Sequence, residues 1–165
     1  MKNSNRRFNR IATLLGVIAV FGVVGLSSPA SAGNGAKVEG VQVPIDAAAG
    51  VYTMSGDLVG MWYTTSFELG VTTVSGVVTG SGTELFLGCF NANHNATCDS
   101  GEPTGTIDFS FRYSGRFDLV TGAIIHGRCQ HPVTGGSGDF AAVSGQLTFH
   151  DDPSGCSFYK GQLDW

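Results

Sequence analysis

From about residue 51 onward, apolar and polar positions alternate in short runs. In "DLVGMWYTTSFEL", residues 57 to 69, Val59, Met61, Tyr63, Phe67 and Leu69 fall on one face, and Gly60, Trp62, Thr64, Ser66 and Glu68 on the other. A period of two is that of a strand with one face buried. "VTTVSGVVT" and "GTELFLGCF" follow, broken at Gly80-Ser81-Gly82. "GTIDFSFRY" sets Ile107, Phe109, Phe111 and Tyr113 against Asp108, Ser110 and Arg112. "GAIIHGRC", "AVSGQLTFH" and "CSFYKGQLDW" complete the series. No stretch of ten residues carries a capped helical period, so the expectation is all-β, a sandwich or a barrel.

Glycine content favours the barrel. After position 32, 22 of 133 residues are glycine, more than twice the usual ~7%. Gly60, Gly76, Gly88, Gly127 and Gly145 interrupt strand-like runs, where a curling sheet needs bends. Residues 33–50, "GNGAKVEGVQVPIDAAAG", read as a loose entry with one short extended piece near Val41–Ile45. Residues 51–165 read as the barrel domain.

The N-terminus changes the charge picture. Lys2, Arg6, Arg7 and Arg10 precede "IATLLGVIAVFGVVGL", an apolar core of 16 residues. That is short of the ~20 residues a membrane helix needs. Ala30-Ser31-Ala32 follows as a small-residue cleavage site. Residues 1–32 are therefore expected to be a cleaved signal peptide, with a secreted or periplasmic product and no remaining span. Arg6-Arg7 is a partial twin-arginine motif, and ordinary secretion is the expectation. Beyond residue 32 the bases are Lys37, Arg112, Arg116, Arg128 and Lys160, against 13 acidic residues, a net charge of −8 where the whole chain has −4. Such a surface is repelled by phosphate backbones, so nucleic acid is not an expected partner.

Cys89, Cys98, Cys129 and Cys156 all lie in the exported part. An even count there reads as two disulfides, with three possible pairings. Cys89–Cys98 is favoured because it clips the ends of a polar loop, which leaves Cys129–Cys156. A zinc site from Cys129 and His131 with His126 or His94 is the rival, but its spacing fits no standard pattern.

That polar loop is "NANHNATCDSGEP", residues 91 to 103. Counted from Asn91, the residues Asn91, Asn93, Asn95, Thr97, Asp99 and Glu102 occupy positions 1, 3, 5, 7, 9 and 12. This is the oxygen spacing of a calcium loop, and it resembles the "DxNxNGxxDxGE" loops of exported bacterial proteins. Two departures weaken it. Asn91 replaces a carboxylate, and Ala96 stands where glycine's positive φ is wanted. Weak calcium binding is the most the loop is expected to show.

One further segment carries a resemblance. In "CQHPVTGGSGDFAAVSGQLTF", residues 129 to 149, Gly135, Gly136, Ser137, Gly138, Asp139, Phe140 and Gly145 match the signature hairpin of allene oxide cyclase and dirigent barrels. "GDLVGMWYTTSF", "GTELFLGC" and "FSFRYSGRFD" also look like exported bacterial members of that group. The resemblance covers roughly residues 55 to 165. It implies a single antiparallel eight-stranded β-barrel, calycin-like, whose lumen holds a small hydrophobic molecule. Allene oxide cyclases isomerise a fatty-acid epoxide, and dirigent proteins steer phenolic radical coupling. Neither implies a redox cofactor, and no catalytic residue carries over.

Other chemistry is sparse. There is no Gly-x-Ser-x-Gly elbow, phosphate loop, dinucleotide fingerprint or His-Glu-x-x-His. Tyr63, Phe67, Phe86, Phe109, Phe111, His126 and Phe149 are the candidates to line a ligand cavity. His126 and Arg128 share a strand face, and would enter the lumen with Asp108 or Arg112. Two functions stand: a binder or structural barrel without turnover, and a cofactor-free isomerase or cyclase. Inward ionisable groups would favour the second, bare apolar walls the first, and a filled interior a structural barrel.

Overall fold

The computed structural model describes residues 35–153 and 156–165; the expected signal peptide lies outside them. Eight antiparallel strands follow one another around a closed barrel: β1 Ala36–Asp46, β2 Val51–Gly56, β3 Leu58–Thr72, β4 Val77–Phe90, β5 Thr104–Phe117, β6 Ile124–Gly138, β7 Ser144–Asp151 and β8 Ser157–Asp164. β1 pairs with both β2 and β8, so the barrel presents no free edge.

This corrects the reading of residues 33–50. Ala36–Asp46 is a full strand that closes the barrel, and only its Val38 and Gln42 are buried. Its apolar signal is thin because Glu39 and Gly40 interrupt it and Pro44 lies at a register shift.

The glycines of the hairpin between β6 and β7 have a steric explanation. A side chain on Gly136 would run into the carbonyl oxygen of Phe140, and one on Gly145 into that of Gln162. Gly145 also has φ +126°, a conformation that favours glycine. Phe140 is fully buried and meets Trp165 edge-on at 5.7 Å. Asp139 accepts a hydrogen bond from the Thr104 amide at 2.9 Å. The hairpin thereby stops one end of the barrel.

Leu58, Phe86, Ile107 and Leu163 pack on that same stoppered side, all with no exposure. Tyr159 ties β8 to the β2–β3 turn: its hydroxyl accepts from the Leu58 amide at 2.9 Å and donates to the Ser55 carbonyl at 3.1 Å. The opposite end carries the β1–β2, β3–β4, β5–β6 and β7–β8 turns, and there the interior is not filled.

Candidate functional site: the open half of the lumen

A cavity of about 820 Å³ occupies this half of the barrel. Phe67, Phe111, Phe117 and Phe149 supply its aromatic wall, and the β1–β2 turn at Ala47–Gly50 forms part of its rim. Phe67 and Phe111 stack at 6.1 Å with planes 12° apart.

A bulge decides which residues of β3 reach the cavity. The β3–β4 register shifts between Thr64 and Ser66, which inserts an extra residue. Before the bulge Trp62 points inward with no exposure. After it, Phe67 and Leu69 line the cavity. Tyr63, next to inward Trp62, therefore faces outward, against the expectation that it shares a face with Phe67. Phe86 and Phe109 do point inward, as expected, but lie in the packed floor rather than on the cavity. Phe67, Phe111 and Phe149 are on its wall.

β6 buries Gly127, Cys129 and His131, so His126 and Arg128 are on the outer face. Asp108 and Arg112 are exposed on the outer face of β5. The acid–base set expected from sequence is thus outside the barrel, and His126 is not a ligand-lining residue.

The residue that takes its place is His131. Its Nε2 lies 2.6 Å from Glu84 Oε2, with the two side chains only 5% and 11% exposed. The contact has the distance of a close ion pair without the alignment of a straight hydrogen bond. Thr64 Oγ1 donates to the other Glu84 oxygen at 3.0 Å. The imidazole sits among Trp62, Phe109, Phe111 and Phe149, with ring centroids 5.5, 6.3, 5.8 and 4.4 Å away. His131 Nδ1 and Trp62 Nε1 are both buried without a hydrogen-bond partner. In sequence His131 stands between Gln130 and Pro132 in what reads as hairpin. Only its parity with Cys129 and Gly127 marks it as inward.

A second polar group lies higher on the wall. Asp151 accepts from Ser157 Oγ at 2.5 Å and pairs with the Tyr113 hydroxyl. Gly127 leaves room for both groups, since a side chain there would strike Asp151 and Tyr113. Burial pushes the Tyr113 hydroxyl up to about 12, helped by the negative charge of Asp151. Burial also raises Tyr52, with Glu84 and Asp151 adding to it. Tyr159 is raised by burial as well.

These shifts give a direction to alkaline stability. Tyr113 and Tyr159 hold their protons more tightly folded than unfolded, where the ordinary value is 10.0. Their contribution is intact below pH 10 and is lost as pH rises above it. Melting temperature should fall steadily above pH 10, and Tyr113→Phe with Tyr159→Phe should flatten that fall. An unchanged slope in the double variant would assign alkaline unfolding to other groups.

Cys89 and Cys98 form a disulfide with Cα atoms 5.7 Å apart. Closing so short a loop stabilises by about 2–3 kcal/mol. Cys129 and Cys156 are not bonded to each other, which corrects the expected second bridge. Cys129 shares a rung with Phe149 and Tyr159, whereas Cys156 lies three residues before Tyr159. That is roughly 10 Å along the strands and roughly 10 Å across two of them, far beyond the ~7 Å a disulfide spans. Burial raises the Cys129 thiol and so suppresses its thiolate. Native alkylation should label Cys156 first and leave Cys129 until unfolding, which peptide mapping would show. The zinc set is not assembled either: Cys129 and His131 are in the lumen, His126 is outside, and His94 contacts Asp57 at 3.0 Å.

The polar loop covers the stoppered end. Asn93 and Asn95 amides both reach Asp99 Oδ2, at 2.8 and 2.6 Å. Thr97 Oγ1 donates to Asn95 Oδ1 at 3.1 Å, and Glu102 accepts from the Asp99 amide at 2.9 Å. The six expected ligand residues thus share one hydrogen-bonded network. Asn91 joins them through its Oδ1, which accepts from the Asn95 amide at 3.3 Å, and its other side-chain atom anchors the loop to the β2–β3 turn. It is 1% exposed, and its Nδ2 donates to the Gly56 carbonyl at 3.1 Å. Ala96 adopts φ +66°, the left-handed conformation expected at position 6. Ala96→Gly should therefore raise stability by about 1 kcal/mol in urea unfolding. A loss would show that the strain is compensated locally.

No family model matches this chain, and no curated protein or solved structure matches it.

Proposed function

We propose that this barrel binds a small, mainly apolar molecule in the open half of its lumen, without turnover. The observation that carries this is the cavity of about 820 Å³ walled by Phe67, Phe111, Phe117 and Phe149. Concave, largely apolar volume with a few placed polar groups is the usual form of a small-molecule site. Kinship with allene oxide cyclase and dirigent barrels belongs to the same reading, supported by the closed eight-stranded topology and the glycine requirements of the hairpin. Action outside the cytosol is supported by the Cys89–Cys98 bridge. An environment-sensitive apolar dye should bind the protein and be displaced by small apolar molecules. A protein to which no apolar probe binds would end this reading.

One observation favours a second reading, a cofactor-free isomerase or cyclase. Ionisable groups do converge in the lumen, as His131 with Glu84 and Tyr113 with Asp151, and such pairs can hold and move protons. Stereoselective product from an unsaturated epoxide, lost in His131→Leu, would establish turnover.

Calcium binding at the polar loop is a separate proposal. The convergence of Asn93, Asn95, Asp99 and Glu102 supports it. Asn91 is best left in place, since Asp there would set an oxygen against the Gly56 carbonyl. Ala96→Gly protein should gain melting temperature at millimolar calcium, and Glu102→Gln should cancel the gain. No response in Ala96→Gly protein would leave the loop as a clipped turn.

A further inference from the structure

We infer that the lumen selects a cationic ligand, an apolar molecule bearing a protonated amine, and that Asp151 is the residue that pairs with the amine. This rests on the lumen-binding reading above and names the chemistry of its ligand.

Asp151 faces the lumen. It lies two residues beyond Phe149 on β7, and Phe149 is 2% exposed and lines the cavity. Residues two apart on a strand share a face. Asp151 pairs with Gly127, which belongs to the buried set of β6, and a side chain on Gly127 would run into Asp151 Oδ2. The carboxylate thus covers the inner side of a glycine, on the cavity wall. It is only partly buried, so a ligand entering from the open end can reach it.

What Asp151 lacks is a counter-charge. Its donors are the Ser157 and Tyr113 hydroxyls, both neutral. They occupy lone pairs without offsetting the charge, and a carboxylate has room for further donors. No lysine or arginine lines the cavity among the described residues, and Arg116, Arg128 and Lys160 are exposed on the outer face. Glu84, the other carboxylate of the wall, already has His131 at 2.6 Å. The lumen therefore carries at least one unbalanced negative charge, whichever state His131 takes. Its neighbours register that charge: burial raises Tyr52 and the Cys129 thiol, and Glu84 and Asp151 raise both further.

An ammonium group answers this wall. Paired with Asp151, it cancels the unbalanced charge. Phe111, Phe117 and Phe149 are there to take the apolar body, and aromatic ring faces attract cations as well as apolar groups. A ligand carboxylate would instead add a like charge with no free counter-charge, and an unpaired charge out of water is costly. A metal ion fits poorly. No group of three or more metal-ligating side chains forms among the described residues, whereas calcium takes about 6–8 oxygen ligands.

Three naphthalene probes of nearly equal size test this: naphthylmethylamine as its ammonium ion, naphthylmethanol and naphthoate, titrated by fluorescence near neutral pH. Naphthylmethylamine should bind about tenfold more tightly than naphthylmethanol, and naphthoate most weakly. Asp151→Asn keeps the size of the side chain and removes its charge. It should bring the amine within about twofold of the alcohol, while the alcohol binds as it does to wild type. In wild-type protein, saturating naphthylmethylamine should lower the pH at which the Asp151 carboxyl carbon resonance titrates, because a paired cation favours the ionised form. Naphthylmethanol should not lower it. That measurement stands even if Asp151→Asn does not fold. Equal binding of amine and alcohol, an amine advantage that survives in Asp151→Asn, or tightest binding by naphthoate would overturn the inference while leaving lumen binding intact. Failure of all three to bind would overturn the lumen reading itself.

Discussion

Phe111→Glu is expected to abolish binding of apolar probes, a loss of about 100-fold or more, while the protein still folds. Phe111 is 5% exposed and forms the wall between Phe67, stacked at 6.1 Å, and His131 at 5.8 Å. A carboxylate there would draw water into the cavity and repel the apolar body of any ligand. It would also stand near Glu84, with no lysine or arginine on the cavity wall among the described residues. The open end lets the new charge hydrate, which is why the fold survives. Phe111→Leu keeps the wall apolar, and its affinity should stay within about tenfold of wild type. Dye titration on the three proteins decides the point. Unchanged affinity in Phe111→Glu would move the binding site out of the lumen.

Trp62→Ala should be the most damaging single truncation. Trp62 has no exposure and stacks on Phe109 at 4.8 Å, with Phe149 at 5.1 Å and His131 at 5.5 Å. Removing so large a buried ring costs about 3–5 kcal/mol, a large share of the 5–15 kcal/mol typical of a domain. The melting temperature should drop by roughly 10–20 °C. Tyr63→Ala, one residue on and facing outward, should cost under ~1 kcal/mol. The pair tests the inward assignment directly. If Tyr63→Ala were the more damaging change, simple alternation along β3 would describe its faces and the bulge placement would be wrong.

That pair also marks where alternation stops being informative. Alternation identifies β3 as a strand, and it sorts Phe86, Phe109, Phe111 and Phe149 to the inside correctly. It fails at Tyr63 because one extra residue at Thr64–Ser66 inverts the parity, and no turn residue announces the bulge. The same parity logic places His126 and Arg128 together but cannot choose their side. Choosing requires knowing that Gly127, Cys129 and His131 are the buried set of β6. Elimination pairs Cys129 with Cys156, whereas the rungs of the sheet set them too far apart.

By itself, the sequence determined the all-β class and most strands, and it favoured the Cys89–Cys98 clip among three pairings. Each of these is local: a period of two, or a loop short enough to close. The tertiary structure decided what lies across the lumen. It set His131 against Glu84 and Tyr113 against Asp151, and it left one half of the barrel unfilled. These contacts join residues far apart in sequence, and their geometry depends on barrel closure and strand register. Alternation along one strand carries no information about either.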